Sequence, residues 1–219
     1  MVRLKTARTS LRPWCEADAS GFAALHADAE VMRDVGGPLN RSQSDDKLHR
    51  YMAAFAEHGF CRWAVDDLDG NFIGYAGVML IPVHFPLAPG FEIGWRFVRS
   101  AWGKGLAFEA ATAALTNIFI RTELTEVLCF TAPDNVRSQA LIRRLELRRD
   151  EDRDFTVNLD GLLWRGLVWV AERPDLVRPR RSLDGSQGCD PSLAEECRHR
   201  PIATMSNPVH SRPVSVNKR

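Results

Sequence analysis

The chain has 219 residues, of which 45% are hydrophobic and 26% are charged, and its formal net charge is +1. This composition can bury a substantial single core, and no stretch approaches the roughly eighteen consecutive apolar residues of a membrane span. The small net charge gives no reason to expect general nucleic-acid binding, which usually needs a clear basic excess. We therefore expect neither a nucleic-acid partner nor a membrane partner.

The cysteines are odd in number and widely spaced, which does not suggest a disulfide framework. No charged, then apolar, then small-residue signal opens the sequence. These features favour a reduced compartment, so we predict a cytoplasmic protein. Cys189, Cys197 and His199 are three possible metal ligands, but they lack the short paired spacing of a zinc site, and no metal is expected.

The first half of the chain predicts an edge strand, two helices and a hairpin. Apolar residues at intervals of three and four indicate the helices, and alternation indicates the strands. The strand covers residues 4–12, the helices cover 16–28 and 45–57, and the hairpin pairs 61–66 with 72–81 across a turn at Asp69-Gly70.

The second half alternates strands and helices more regularly. A loop with three prolines at 82–90 precedes a strand at 91–98, a glycine-rich turn, and a helix from 108 to about 121. A strand at 127–131, a helix from 135, and a final hairpin of 149–158 with 162–171 follow. This alternation predicts an α/β fold with a mixed sheet and helices on both faces.

The turn between the strand and the helix reads Trp102-Gly103-Lys104-Gly105-Leu106-Ala107. Such a turn leaves backbone N–H groups unpaired at the positive end of a helix dipole, which predicts a phosphate cradle. It is not a Walker A loop, because Lys104 lies between two glycines and Leu106 follows. It also lacks the third small residue of a dinucleotide fingerprint, since Phe108 stands there. The alternative is an ordinary turn in which glycine relieves steric strain only.

Three segments together resemble the GNAT N-acetyltransferases, in particular the branch of the ribosomal-protein-alanine N-acetyltransferases. They are the glycine-rich turn, the preceding Phe91-Glu92-Ile93-Gly94-Trp95, and the later Asn135-x-x-Ser138. The resemblance covers roughly residues 3–172. It implies a GNAT-like sheet of about six or seven strands, flanked by helices on both faces. One departure is Glu146, which stands where the family closes its helix with glycine.

The domain boundary follows from composition as well as from the resemblance. Residues 1–173 are predicted to form the acetyltransferase domain. Residues 174–219 are rich in Ser, Pro, Gly and Arg without apolar periodicity, and we predict that they are a disordered tail.

The resemblance implies acetyl-CoA as co-substrate and direct transfer of its acetyl group to a primary amine. In the family, the loop amides bind the pyrophosphate, the end of the preceding strand pairs with the pantetheine amides, and the asparagine of the later helix contacts the pantetheine. The cofactor-binding positions implied here are therefore Phe97, Val98, Gly103, Lys104, Gly105, Leu106, Ala107 and Asn135.

Two residues are the candidates for proton transfer. Glu92 is the predicted base, because several family members carry a glutamate there that acts through water. A solvated or salt-bridged strand glutamate is the alternative, and His84 in the preceding loop is the second choice as base. Ser138 is the predicted proton donor to the leaving thiolate. Asn135 and Ser138 also suit a helix N-terminus, so capping is the competing interpretation of both.

The acceptor is not determined by the sequence. It is a peptide N-terminus or a small-molecule amine, such as a polyamine or an aminoglycoside, and the protein is a monomer or a homodimer. A different class of function is a catalytically degenerate CoA-binding module, which the glutamate at position 146 suggests. The side chains proposed to line the acceptor pocket are Trp14, Met32, Phe85 and Trp164.

Overall fold

The computed structural model describes residues 3–83, 85–159 and 161–174, and within them the chain forms one open mixed sheet with helices on both faces. The helices are α1 (Ala19–Ala27), α2 (Ala29–Met32), α3 (Arg41–His58), α4 (Leu106–Arg121) and α5 (Val136–Arg144). The strands are β1 (Leu4–Lys5), β2 (Ser10–Arg12), β3 (Arg62–Asp66), β4 (Phe72–Leu80), β5 (Phe91–Phe97), β6 (Glu126–Thr131), β7 (Arg148–Arg149), β8 (Phe155–Leu159) and β9 (Leu162–Glu172).

The strand order is β1-β2-β3-β4-β5-β6-β9-β7, and β8 also pairs with β9. Seven of these nine strands have three or more residues, in agreement with the expected number, and the other two have two residues each. All neighbouring strands are antiparallel except β5 and β6, whose parallel pairing consists of Glu92 opposite Leu128. Beyond that pair the two strands are not paired, and a cleft opens between them.

The N-terminal strand prediction was wrong in its length. Residues 4–12 form two short antiparallel strands, with Leu4 opposite Leu11, rather than one edge strand. The chain reverses because the Thr6 amide and hydroxyl both donate to the Thr9 carbonyl, at 3.0 and 2.9 Å. Alternation alone does not reveal such a turn, because it contains neither glycine nor proline.

The first two helices begin and end differently from the prediction. A short 3-10 turn (Glu16–Asp18) precedes α1, because the Asp18 carboxylate accepts the Cys15 N–H at 2.9 Å and pairs with Arg12. The helix α3 begins at Arg41 instead of residue 45, since Asn40 and Gln43 form a capping box. The short helix α2 was not predicted. None of the helices in the described ranges is long and apolar enough to cross a membrane.

The described residues form three buried clusters, and two of them explain why the sheet carries helices on both faces. One lies under α4 and includes Ile93, Ala114 and Ile118. The other lies between the opposite face and helices α1 and α3, and it contains Phe22 and Tyr75. Successive side chains of β4 and β5 therefore point alternately into one core and the other.

The C-terminal segment differs from the predicted hairpin at its start only. Strand β8 pairs with β9 as expected, but the residues before it form β7 and a 3-10 turn (Glu151–Arg153). Asp154 holds this break in place, because its carboxylate accepts the Val168 N–H at 3.0 Å and pairs with Arg149. The helix α5 ends with Glu146 in the left-handed conformation at φ 57°, although a glutamate stands there instead of the family's glycine. The Leu147 N–H then donates to the Ile142 carbonyl, so the turn closes without glycine.

Candidate active site

A cleft of about 700 Å³ lies where β5 and β6 separate. One end is formed by the turn between β5 and α4 together with α5, and the other by β3, α3 and the 3-10 turn Arg33–Val35. We call these the loop end and the floor end. The residues predicted for the co-substrate and for proton transfer converge on this cleft.

At the loop end, the backbone forms an anion cradle. Gly103 and Gly105 line the cleft in the left-handed conformation, at φ 72° and 77°. Gly105 is the N-cap of α4, and the first helical hydrogen bond runs from the Glu109 N–H to its carbonyl at 3.1 Å. The amides of the first turn therefore have no partner within the helix and lie at its positive end. This geometry suits a phosphate-bearing ligand.

Two arginines lie beside Gly105 and a third lies over Trp102, and none of the three was predicted. A Cβ at Gly105 would lie 3.3 Å from Arg144 Nη1 and 3.4 Å from Arg8 Nη2. Arg144 stacks over Phe108 at 4.2 Å, and Arg137 stacks over Trp102 at the same distance. The sequence signal was available for two of them, because Arg137 and Arg144 are seven residues apart and share one face of α5.

The predicted cofactor residues divide into two groups. Those that line the cleft are Phe97, Gly103, Gly105, Ala107 and Asn135. Val98, Lys104 and Leu106 do not line it. Lys104 is exposed, and its backbone carbonyl accepts a hydrogen bond from Arg8 at 2.9 Å. Leu106 packs against the core beneath α4.

The prediction that both Phe97 and Val98 offer backbone groups to a ligand requires correction. The Val98 N–H donates to Ile73 at 3.0 Å, and its carbonyl accepts from Ala101 at 2.9 Å. Backbone groups alternate in direction along a strand, so Val98 faces β4 while Trp95 and Phe97 face the cleft. The Phe97 carbonyl accepts the Trp102 indole N–H at 2.8 Å. The strand edge that faces a ligand is therefore that of Trp95 and the Phe97 amide.

Glu92 lies at the point where β5 and β6 separate, and its side chain is 13% exposed. Its carboxylate forms an ion pair with Arg62, which also donates to the Tyr51 hydroxyl at 2.8 Å. Arg62 reaches Glu92 across Gly94, where a Cβ would lie 2.6 Å from the guanidinium. Glu92 is thus salt-bridged, as the alternative interpretation of this glutamate expected, and it also lines the cleft. His84, the second choice as base, lies outside the described residues.

Asn135 and Ser138 both line the cleft at the start of α5. The Asn135 side-chain oxygen accepts the Ser138 N–H at 3.0 Å, so Asn135 caps the helix. The hydroxyl of Ser138 plays no part in that cap, and among the described residues it has no hydrogen-bond partner. Capping therefore accounts for Asn135, while Ser138 keeps a hydroxyl available to a ligand.

The proposed acceptor residues also divide. Trp14 and Met32 are buried in the core, at 7% and 1% exposure, and do not line the cleft. Phe85 and Trp164 do line it, on either side of Phe130. The ring centroids of Phe85 and Phe130 are 5.6 Å apart, and those of Phe130 and Trp164 are 6.3 Å apart. They form an aromatic wall.

The floor end is basic, which the sequence analysis did not anticipate. Lys47 of α3 and Arg96 of β5 line the cleft beside Arg62. Burial, together with the charges of Arg96 and Arg62, lowers the pKa of Lys47 to about 8. Burial alone would raise the pKa of Tyr75, but the charges of Arg96, Lys47 and Arg62 lower it below its usual range. No signal in the sequence joins these residues, because they come from separate elements.

The described ranges contain no group of three His, Cys, Asp or Glu side chains placed to hold a metal ion. Cys189, Cys197 and His199 lie outside those ranges.

Comparison with known proteins places this geometry in a family. The family model described as an acetyltransferase (GNAT) domain matches residues 8–148. The chain is 29% identical over 139 residues to the uncharacterized protein YkkB of Bacillus subtilis, which covers 63% of this chain and 80% of YkkB.

Solved structures share the fold. An acetyltransferase from Agrobacterium tumefaciens superposes with a TM-score of 0.66 at 26% identity, over 78% of this chain and 95% of that one. RimL, a ribosomal-protein alpha-N acetyltransferase in complex with coenzyme A, superposes with a TM-score of 0.62 at 14% identity, over 78% and 98%. Because the family model spans more than half of the sequence, and includes the cradle, Glu92 and Ser138, the chain belongs to the GNAT acetyltransferase family.

Proposed function

We propose that this protein transfers the acetyl group of acetyl-CoA directly to a primary amine, either a protein N-terminus or a small-molecule amine. The observation that carries the proposal is the convergence of the phosphate cradle, Glu92 and Ser138 on one cleft. The similarity to RimL, which was solved with coenzyme A and acts on a protein N-terminus by its description, supports both the co-substrate and a peptide acceptor.

Acetyl-CoA binds with its pyrophosphate on the amides that follow Gly105, with Arg8, Arg137 and Arg144 beside it. The pantetheine extends along the free edge of β5, where Trp95 and Phe97 face the gap. This direction carries the thioester toward the point at which β5 and β6 meet, beside Glu92.

The chemistry needs one base and one donor. The Glu92 carboxylate removes a proton from the acceptor ammonium through water, and the neutral amine then attacks the thioester carbonyl. When the tetrahedral intermediate collapses, the carbon–sulfur bond breaks and the Ser138 hydroxyl gives its proton to the departing thiolate. The serine oxygen then takes up the proton that the acetylated nitrogen releases as it becomes an amide. Arg62 is a positioning residue, because its ion pair fixes the Glu92 carboxylate beside the cleft.

The alternative, a CoA-binding module without turnover, had one argument in its favour, the glutamate in place of a helix-closing glycine. That argument weakens because α5 closes with Glu146 in the left-handed conformation. Residues 174–219 and the oligomeric state enter neither version of the proposal.

The test combines binding and turnover. Titration calorimetry with acetyl-CoA, CoA and ATP measures which ligand the cleft holds, and thiol release is then followed across peptides and small amines. We expect acetyl-CoA to bind in the micromolar range and thiol release to depend on the acceptor. Binding of CoA without any acceptor-dependent release would favour the module, and no binding of acetyl-CoA would contradict the transferase.

A further inference from the structure

The floor end of the cleft carries more positive than negative charge. Lys47, Arg62 and Arg96 line it, and the carboxylate that pairs with this group is Glu92, bound to Arg62. Neither Lys47 nor Arg96 has an ion-pair partner among the described residues. Asp34 also faces the cleft, but its carboxylate lies near Arg33 and Arg137 instead.

Strand register explains how the charges come together. Tyr75 of β4 lies directly opposite Arg96, so both side chains stand on the same face of the sheet. Glu92 and Gly94 share that face, because residues two apart on a strand point the same way. The Arg96 guanidinium carbon is 5.8 Å from the centroid of the Tyr75 ring.

The Arg96 guanidinium is incompletely satisfied. Its Nη1 atom is buried and has no hydrogen-bond partner within the described part of the chain, and the same holds for Arg62 Nε. Buried charges are normally paired, because an unpaired one loses its hydration without compensation. The Tyr75 hydroxyl forms a hydrogen bond with His26 Nε2 at 3.3 Å. Burial lowers the pKa of His26 to about 3, so this histidine is neutral. An acceptor for Arg96 Nη1 must therefore come from a water or a ligand in the cleft.

We propose that the acceptor carries a carboxylate near its primary amine, and that Arg96 and Lys47 bind this carboxylate while the amine lies at Glu92. The inference rests on the proposed transferase function and specifies its substrate class. Arginine is suited to this role because its planar guanidinium can bind a carboxylate with two hydrogen bonds.

The same charges disfavour the cationic acceptors that the sequence left open. A polyamine or an aminoglycoside would bring several positive charges to Lys47, Arg62 and Arg96, whose single carboxylate partner is Glu92. A carboxylate-bearing amine brings the missing counter-charge. The positive surroundings would also favour the neutral form of the acceptor amine, which is the form that attacks.

Matched pairs of acceptors test the inference and separate two sources of the carboxylate. The first pair, alanine and alaninamide, tests the α-carboxylate of a free amino acid. The second pair, Ala-Asp-Ala-Ala amide and Ala-Asn-Ala-Ala amide, tests the side-chain carboxylate of an acidic peptide. In at least one pair, we expect kcat/KM to be about 10-fold higher for the acid than for its amide. Arg96→Met and Lys47→Met should each reduce that ratio toward one, while Arg50→Met, on an exposed position of α3, should preserve it.

Binding of the N-acetylated products to the CoA-loaded protein gives a second measurement that does not depend on turnover. We expect the N-acetylated acid to bind about 10-fold more tightly than its amide in the wild type, and equally in Arg96→Met. Equal affinity for acid and amide in the wild type would overturn the inference. Turnover of neutral or cationic amines at the same efficiency would also overturn it while leaving the transferase intact, whereas failure of acetyl-CoA to bind would contradict the transferase itself.

Discussion

The loop end and the floor end of the cleft are built in different ways. The loop end consists largely of backbone, with left-handed Gly103 and Gly105 presenting the first amides of α4. The floor end consists of side chains from separate elements, Lys47 on α3, Arg62 on β3 and Arg96 on β5. A ligand site made of one continuous segment tolerates little change in that segment. A site assembled from distant side chains changes its specificity one residue at a time.

This difference predicts that variants at the two ends affect different measurements. Variants at the loop end should change affinity for acetyl-CoA, and variants at the floor end should change the choice of acceptor. Residues where the two ends meet should change turnover.

The largest effect is expected at the meeting point. Glu92→Gln should lower kcat by a factor of about 10² to 10⁴ if this carboxylate is the general base, and it should remove the acid limb of the pH–rate profile. Glutamine can still accept a hydrogen bond from Arg62, so affinity for acetyl-CoA should remain. Glu126→Gln is the matched control, because Glu126 is also a strand glutamate paired with arginine, but lies outside the cleft. A kcat within a few-fold of wild type for Glu92→Gln would contradict the assignment.

At the loop end, Gly105→Val should weaken acetyl-CoA binding roughly 100-fold, which corresponds to about 3 kcal/mol. Valine is strained at φ 77° and would approach Arg144 and Arg8. Gly70→Val suffers the same backbone strain at φ 82° in an open hairpin turn, so it should lose stability but keep affinity. Calorimetry on both proteins separates the two effects, and equal losses of affinity would refute the cradle.

On α5, Ser138→Ala should lower kcat about 10-fold with little change in stability, since its hydroxyl has no partner in the described structure. Asn135→Ala should instead cost about 1 kcal/mol of unfolding free energy, because it removes the helix cap. Chemical denaturation and steady-state kinetics on the pair distinguish the two roles. A Ser138→Ala protein that is destabilised but fully active would favour capping for both.

The basic floor should lose its attraction for anions at high pH. As the pH rises through about 8, the pKa of Lys47, this lysine loses its positive charge and anion binding weakens. The neighbouring cations lower the pKa of Tyr75, and its ionisation would act in the same direction. The other charged groups that act on Lys47 are Arg96, Arg62 and Arg50. We expect the dissociation constant of an N-acetylated acid to rise about 10-fold between pH 7 and 9.5 by calorimetry. Lys47→Met should show a smaller rise, and an unchanged constant in the wild type would argue against a titrating floor.

The smallest effect is expected away from both ends. Glu146→Gly should stabilise the protein by about 0.5 to 1 kcal/mol, because glycine adopts the left-handed conformation without steric cost. Affinity and turnover should not change. Denaturation midpoints of the two proteins provide the measurement, and a loss of stability would mean that the glutamate side chain contributes a compensating interaction.

The sequence was informative where the relevant residues are neighbours in the chain. The loop end was predictable because Gly103, Gly105 and the helix that follows form one local pattern. The pair of Arg62 and Glu92, and the approach of Lys47 to Arg96, depend on strand and helix packing that no local pattern encodes. The error at Val98 was of another kind, because strand alternation already forbids two successive residues from facing the same neighbour.

Among the described strands, the one parallel pair joins Glu92 to Leu128, and it makes Glu92 the vertex of a wedge. Its backbone has a strand on both sides, with Met79 of β4 opposite it on one side and Leu128 of β6 on the other. The walls diverge from there, with Ser138 on the α5 side. The base and the proton donor proposed here therefore have different supports, since Glu92 stands on a strand of the continuous sheet and Ser138 on a helix across the opening.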